Sequence, residues 1–109
     1  MTFFLCITEP SGPADRLAPH LAEHKRWLGD LESDGTLLMA GPLLGDDYEP
    51  TGTGAIVIRA HSMQAAREIL DQDPFHRRGL RTFQVTPWQL NEGRIELTAR
   101  LSTPETALR

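Results

Sequence analysis

His20, Glu23 and His24 fall within one five-residue stretch, His20-Leu21-Ala22-Glu23-His24. H-x-x-E-H is the spelling of an inverted zinc-peptidase motif, in which two histidines four apart ligate the metal and the glutamate acts as base. That chemistry needs a third ligand from further along the chain and a substrate cleft, and a small domain has little room for both. The spelling is therefore read as accidental, and no metal is assigned.

Helical geometry separates the three residues. At ~100° per residue, positions 17, 21, 24, 28 and 31 fall within an arc of about 80°, so His24 lies inside a stripe of Leu17, Leu21, Leu28 and Leu31. His20 lies at the edge of that arc and Glu23 well outside it. An imidazole on an apolar face is either a core histidine satisfied by backbone or water, or a residue held for proton transfer. A second inward ionisable group bears on the choice. Ala66, Ile69, Leu70 and Asp73 follow i, i+3, i+4, i+7 spacing, which puts the Asp73 carboxylate at the C-terminal end of another core-facing stripe. Burial and the negative end of the helix dipole both disfavour its charge there, so it needs a donor, and an imidazole from the neighbouring helix would serve. The alternative is a turn residue that hydrogen-bonds the backbone around Pro74.

These side chains have to be positioned by a short series of elements. Residues 2–8, TFFLCIT, form a continuous apolar run, as in a strand buried on both faces, and the turn Glu9-Pro10-Ser11-Gly12-Pro13 follows. The leucine stripe predicts a helix over 14–34 with Gly35 as its C′ residue. TLLMAGPLL (36–44) and GAIVIRA (54–60) read as strands joined by a wide polar loop, and Gly41-Pro42 interrupts the first of them. Ser62 caps a helix over 63–73 that Pro74 ends, and LRTFQVTPWQL (80–90) is the last strand. The order βαββαβ is the ferredoxin-like α+β plan, with both helices on one face of a four-stranded antiparallel sheet. Residues 1–90 make the domain, and 91–109 are a tail or an arm to a partner subunit.

Strands one and three are apolar at odd and even positions alike, so the second sheet face is expected to pack on another copy, giving a homodimer. Eleven basic residues scattered among fifteen acidic ones, net −4, provide no basic stripe for nucleic acid. No apolar run approaches the ~18–20 residues of a membrane helix, and no basic stretch is followed by an apolar signal core, so a cytoplasmic protein is expected. The single cysteine, Cys6, sits in the apolar run and reads as a small buried hydrophobe.

Taken together, the motifs resemble the YCII-related domain proteins of the dimeric α+β barrel superfamily. His24 is followed seventeen residues later by Gly41-Pro42 within DGTLLMAGPL, Asp73-Pro74-Phe75 precedes Gly79, and Val85-Thr86-Pro87-Trp88 closes the pattern. The resemblance spans most of residues 1–90. It implies a ferredoxin-like protomer that dimerises through its sheets, and a pocket in which His24 and Asp73 form a dyad. One branch of that family eliminates chloride from a chlorinated hydroxyquinol with such a dyad. A lyase or isomerase acting on small, often aromatic, metabolites is therefore expected, with His24 as general acid–base and Asp73 orienting it. The chemistry demands no cofactor. Many members carry a basic residue three positions before the histidine, where this chain has Leu21. Gly41 and Pro42 would let a ligand approach strand two or simply kink it, and Phe75 and Trp88 would wall the pocket or serve as packing. His76, Arg77 and Arg78 read as a solvated helix end. The other class of reading is a non-catalytic ligand-binding or regulatory dimer in which the pair is structural. An oxygenase or haem-handling role rests on fold analogy alone.

Overall fold

The computed structural model describes residues 2–94. Its order is β1 (Thr2–Pro10), two 3₁₀ turns (Ala14–Arg16 and Ala18–His20), α1 (Leu21–Ser33), β2 (Leu37–Leu44), β3 (Pro50–Ala60), α2 (Met63–Asp71), α3 (Pro74–Arg77) and β4 (Arg81–Trp88). The strands form one sheet in the order β2-β3-β1-β4, every neighbouring pair antiparallel. This is the expected ferredoxin-like α+β arrangement, with β1 and β3 central.

β1 continues through Glu9 and Pro10, read from sequence as turn, and β2 and β4 are shorter than read by one and three residues; three further differences bear on the site. The first helix starts at Leu21, because Pro19 has no N–H to donate and the i→i−4 ladder cannot run through it. The chain uses two 3₁₀ turns instead, and His20 becomes the residue before the helix proper. β3 begins at Pro50, paired with Leu44, because a turn closed by Gly45 N–H to the Glu49 carbonyl at 2.9 Å makes the connection tight. The second helix stops at Asp71, and after Gln72 the chain starts α3 with Asp73 as its N-cap. As expected, Gly35 has φ +81° just past α1, and the Ser62 hydroxyl accepts the Ala65 N–H at 3.0 Å to cap α2.

Alternation along β1 divides the sheet into two faces. Phe4, Cys6 and Thr8 point to the helices and are buried, together with Ile56, Ile58 and Ala60 of β3 and Val85 of β4. Ala66 and Leu70 of α2 close this core from above, both at 0% exposure. On the other face Phe3, Leu5 and Ile7 are half-buried, and Met39, Leu43 and Trp88 are exposed. The core is thickest under α2. At the α1 end the helix-side positions turn from large apolar residues to Thr8, Gly54, Ala40 and Pro42, and a cavity opens over them.

The tail expected over 91–109 lies outside the described residues beyond position 94. Among the described residues no helix is long and apolar enough to cross a membrane.

Candidate active site

α1 carries His24 over the sheet, and α3 carries Asp73 at its start. His24 Nδ1 lies 2.9 Å from Asp73 Oδ1. The carboxylate can only accept, so Nδ1 bears a proton, and in the neutral imidazole the lone pair is the one on Nε2. Asp73 is 1% exposed, and the same Oδ1 accepts the Phe75 N–H at 3.0 Å. The two sequence readings of Asp73 therefore coexist: it caps the turn at Pro74 and it also holds the imidazole. Its helix environment differs from expectation, because it sits at the N-terminal end of α3, where a capping carboxylate is favoured, and not on the last turn of α2.

Phe75, 4% exposed, stacks on the His24 ring at 4.3 Å between centroids and 18° between planes. Two of the remaining predicted residues, Gly41 and Pro42, line the cavity along with Leu21, His24, Asp73 and Phe75. Trp88 is not brought there. It pairs with Phe3, and strand alternation puts it on the sheet face opposite Phe83 and Val85. The cavity measures about 380 Å³ and its wall is mostly apolar. His24, Lys25, Asp73 and Arg81 are its ionisable residues.

His76, read from sequence as part of a solvated helix end, instead has a buried side chain, 1% exposed, on a half-buried residue. Its Nδ1–H donates to the Leu70 carbonyl at 2.8 Å, so Nε2 accepts from the Thr8 hydroxyl, also at 2.8 Å. The Thr8 oxygen in turn accepts from Arg81 Nε at 3.1 Å. Arg77 and Arg78 are exposed as expected, facing Glu23 at 3.9 and 3.4 Å. His20 Nδ1 stands 3.8 Å from Glu23, and the described residues hold no cluster of three or more metal-ligating side chains. Cys6 is fully buried; burial pushes its thiol up to about 12, the Asp73 charge adds to the rise and the Arg81 charge opposes it.

The chain is a small ferredoxin-like α+β domain with a histidine–carboxylate pair over one end of its sheet. Residues 1–89 match the model of the YCII-related domain, and the chain belongs to that family. No curated protein sequence matches it. Among solved structures it is similar to 5-chloro-2-hydroxyhydroquinone dehydrochlorinase from Burkholderia phenoliruptrix, solved with 2,5-dihydroxybenzoquinone. That match has a TM-score of 0.62 and 24% identity, and covers 81% of this chain and 95% of the other. It is also similar to muconolactone isomerase, with a TM-score of 0.62, 18% identity, and coverage of 90% of this chain and 99% of the other. At these identities the likeness is one of fold.

Proposed function

We propose that the chain is a cofactor-independent lyase or isomerase that moves a proton at a carbon atom of a small molecule, with His24 as the acid–base and Asp73 orienting it. The observation that carries this reading is the 2.9 Å contact between His24 Nδ1 and a carboxylate that is 1% exposed, at the wall of a cavity of about 380 Å³. A buried carboxylate on Nδ1 fixes the tautomer and stabilises the imidazolium that forms when Nε2 takes a proton. The stacked face of Phe75 favours the same cation.

From there two outcomes share one machinery. Returning the proton to a different carbon is an isomerisation. Letting the electron pair of the broken C–H bond form a double bond while a leaving group departs with its own bonding pair is an elimination. A dehydrochlorinase and an isomerase of similar fold support both. Gly41, Pro42 and Phe75 form the substrate wall in this reading, and the protein acts as a homodimer joined through the sheet face that carries Phe3, Leu5 and Ile7.

The second reading, a ligand-binding or regulatory dimer, is favoured by one observation: Asp73 Oδ1 also caps α3, so the pair has a structural role whether or not it reacts. Solvent-deuterium exchange into a panel of small ketones, lactones and hydroxyquinols, followed by NMR, separates the two. Catalysis predicts exchange or turnover with the native protein and its loss in His24→Asn with the fold intact. Absence of both across the panel, together with a stability loss in His24→Ala of about 2–5 kcal/mol, would leave the structural pair.

A further inference from the structure

Of the cavity's ionisable residues, the carboxylate is already supplied with donors, and one cation is only partly so. Arg81 is the first residue of β4 and reaches across β1 to β3. Its Nε donates to Thr8 Oγ1 at 3.1 Å, and its two Nη2 hydrogens go to the carbonyls of Thr8 at 2.9 Å and Gly52 at 2.7 Å. A guanidinium has five N–H donors. Three are used to pin the plane, and among the described residues no acceptor takes the two on Nη1. No ion pair among the described residues involves Arg81. Lys25 is the other cavity cation, on an exposed position of α1 with a flexible stem.

We propose that Arg81 is the receptor for an anionic oxygen of the substrate, so that the cavity selects small, largely apolar monoanions: carboxylates, phenolates or enolates. This rests on the cavity being the functional site proposed above. A half-buried cation without a carboxylate partner, facing a mostly apolar wall, gains most from a ligand that brings the missing charge. Burial pulls the Arg81 pKa below its ordinary value, with the Asp73, Cys6 and Glu9 charges opposing, in keeping with its half-buried position.

The surroundings preset the fork. Leu70 fixes the His76 tautomer, His76 Nε2 takes the Thr8 proton, and the Thr8 lone pair is thereby turned to Arg81 Nε. His76 and Thr8 are positioning residues in this scheme, and Arg81 is the group that touches the ligand. His24 lines the same cavity, so a substrate held by its oxygen on Arg81 shares it with the proposed acid–base.

Calorimetric titration with benzoate and with benzamide, its neutral counterpart, tests the proposal, and 2,5-dihydroxybenzoquinone, with both enolic oxygens ionised at neutral pH, extends it from carboxylates to enolic oxygens and to a doubly charged ligand. The native protein is expected to bind the anions more tightly than benzamide by roughly tenfold or more, and less tightly as salt rises. Arg81→Met should bring benzoate to the level of benzamide, Arg81→Lys should recover part of the difference, and Lys25→Met should change it by less than about threefold. Because Arg81 bridges three acceptors and its removal could unfold the chain, NMR of the native protein provides a second reading. The Arg81 side-chain N–H resonances should shift with benzoate and stay in place with benzamide. Equal binding of the charged and neutral probes, no binding of any anion at millimolar concentration, or an unchanged Arg81→Met would overturn the proposal, as would a loss confined to Lys25→Met. His24→Asn should still bind benzoate. Benzoate selectivity without any His24-dependent turnover removes the catalytic reading alone, and turnover without selectivity removes this inference alone.

Discussion

Thr8 on β1 and His76 on α3 share a 2.8 Å hydrogen bond across 68 residues of sequence. The bond sits at the seam between sheet and helices, and it connects Leu70 of α2 through His76 and Thr8 to Arg81 of β4. His76→Ala would leave the Leu70 carbonyl with the Asp73 N–H at 3.2 Å as its remaining donor and the Thr8 hydroxyl without its acceptor, and would empty the space of a ring whose side chain is 1% exposed. A loss of about 2–4 kcal/mol is expected in urea unfolding. A loss below about 0.5 kcal/mol would mean that the ring is solvated in solution.

The sequence made some of this legible and hid the rest for identifiable reasons. His24 could be placed because it interrupts a stripe of four leucines, and a 3.6-residue period fixes which side of a helix a residue occupies. Asp73 could be placed on the inward face but not in its local setting, because the stripe does not show where α2 stops. His76 was missed because a four-residue helix falls below what periodicity can resolve. The usable signal was Asp73 followed by Pro74, a capping residue followed by proline at the first helical position, which puts residue 76 on the same side as 73. Arg81 had a plainer signal: it shares period-two parity with Phe83 and Val85 and is therefore an inward-facing cation. The same parity excludes Trp88 from the cavity. Pro19 marked the true start of α1, and the leucine pattern obscured it.

Asp73→Ala and Asp73→Asn should separate the two roles of the carboxylate. Alanine leaves the Phe75 N–H and the His24 Nδ1–H without an acceptor inside the fold, and about 2–4 kcal/mol should be lost. Asparagine keeps an oxygen that can cap α3 and accept from His24, so the loss should be smaller by about 1 kcal/mol or more. Turnover should fall in both, because neither carries the charge that stabilises an imidazolium. Equal unfolding midpoints for the two variants would contradict the capping role.

Cys6 gives the fold a pH dependence on the alkaline side. Its thiol rises from an ordinary value of 9.0 to about 12 in the folded chain. Between those values the unfolded chain has lost the proton and the folded chain keeps it, so the contribution is complete below pH 9.0 and declines as pH climbs towards about 12. Comparing urea midpoints of the native chain and Cys6→Ala from about pH 8 to about pH 11, a range that straddles the ordinary value of 9.0, isolates the effect. The native chain should lose more stability over that range than the variant. Parallel curves would show that the thiol is not desolvated.

Glu23 tests the zinc-like spelling directly. Its carboxylate faces Arg77 and Arg78 at 3.9 and 3.4 Å with 42% of its side chain exposed, a setting in which ion pairs contribute little. Glu23→Gln should therefore shift stability by less than about 1 kcal/mol and leave turnover unchanged. Chelator treatment and added zinc should leave both unchanged as well. A zinc-dependent activity abolished by Glu23→Gln would restore the metallopeptidase reading.

The sheet face opposite the helices decides whether the protomer works alone. Met39 and Trp88 are exposed there at 44% and 45%, flanking the half-buried Phe3, Leu5 and Ile7, and a contiguous apolar face of this kind is costly to leave in water. A second copy applied sheet to sheet would cover it, and two such sheets pack about 10 Å apart with their side chains interleaved. Under this arrangement sedimentation equilibrium should give twice the chain mass. Met39→Lys, which places a charge on that face without touching the helix-side core, should shift the equilibrium to the monomer and lower the unfolding midpoint at micromolar concentration. The midpoint of the native chain should rise with protein concentration, as it does when association stabilises the folded form. A native chain that sediments as a monomer, with a midpoint independent of concentration, would mean that this face is closed by something other than a second copy.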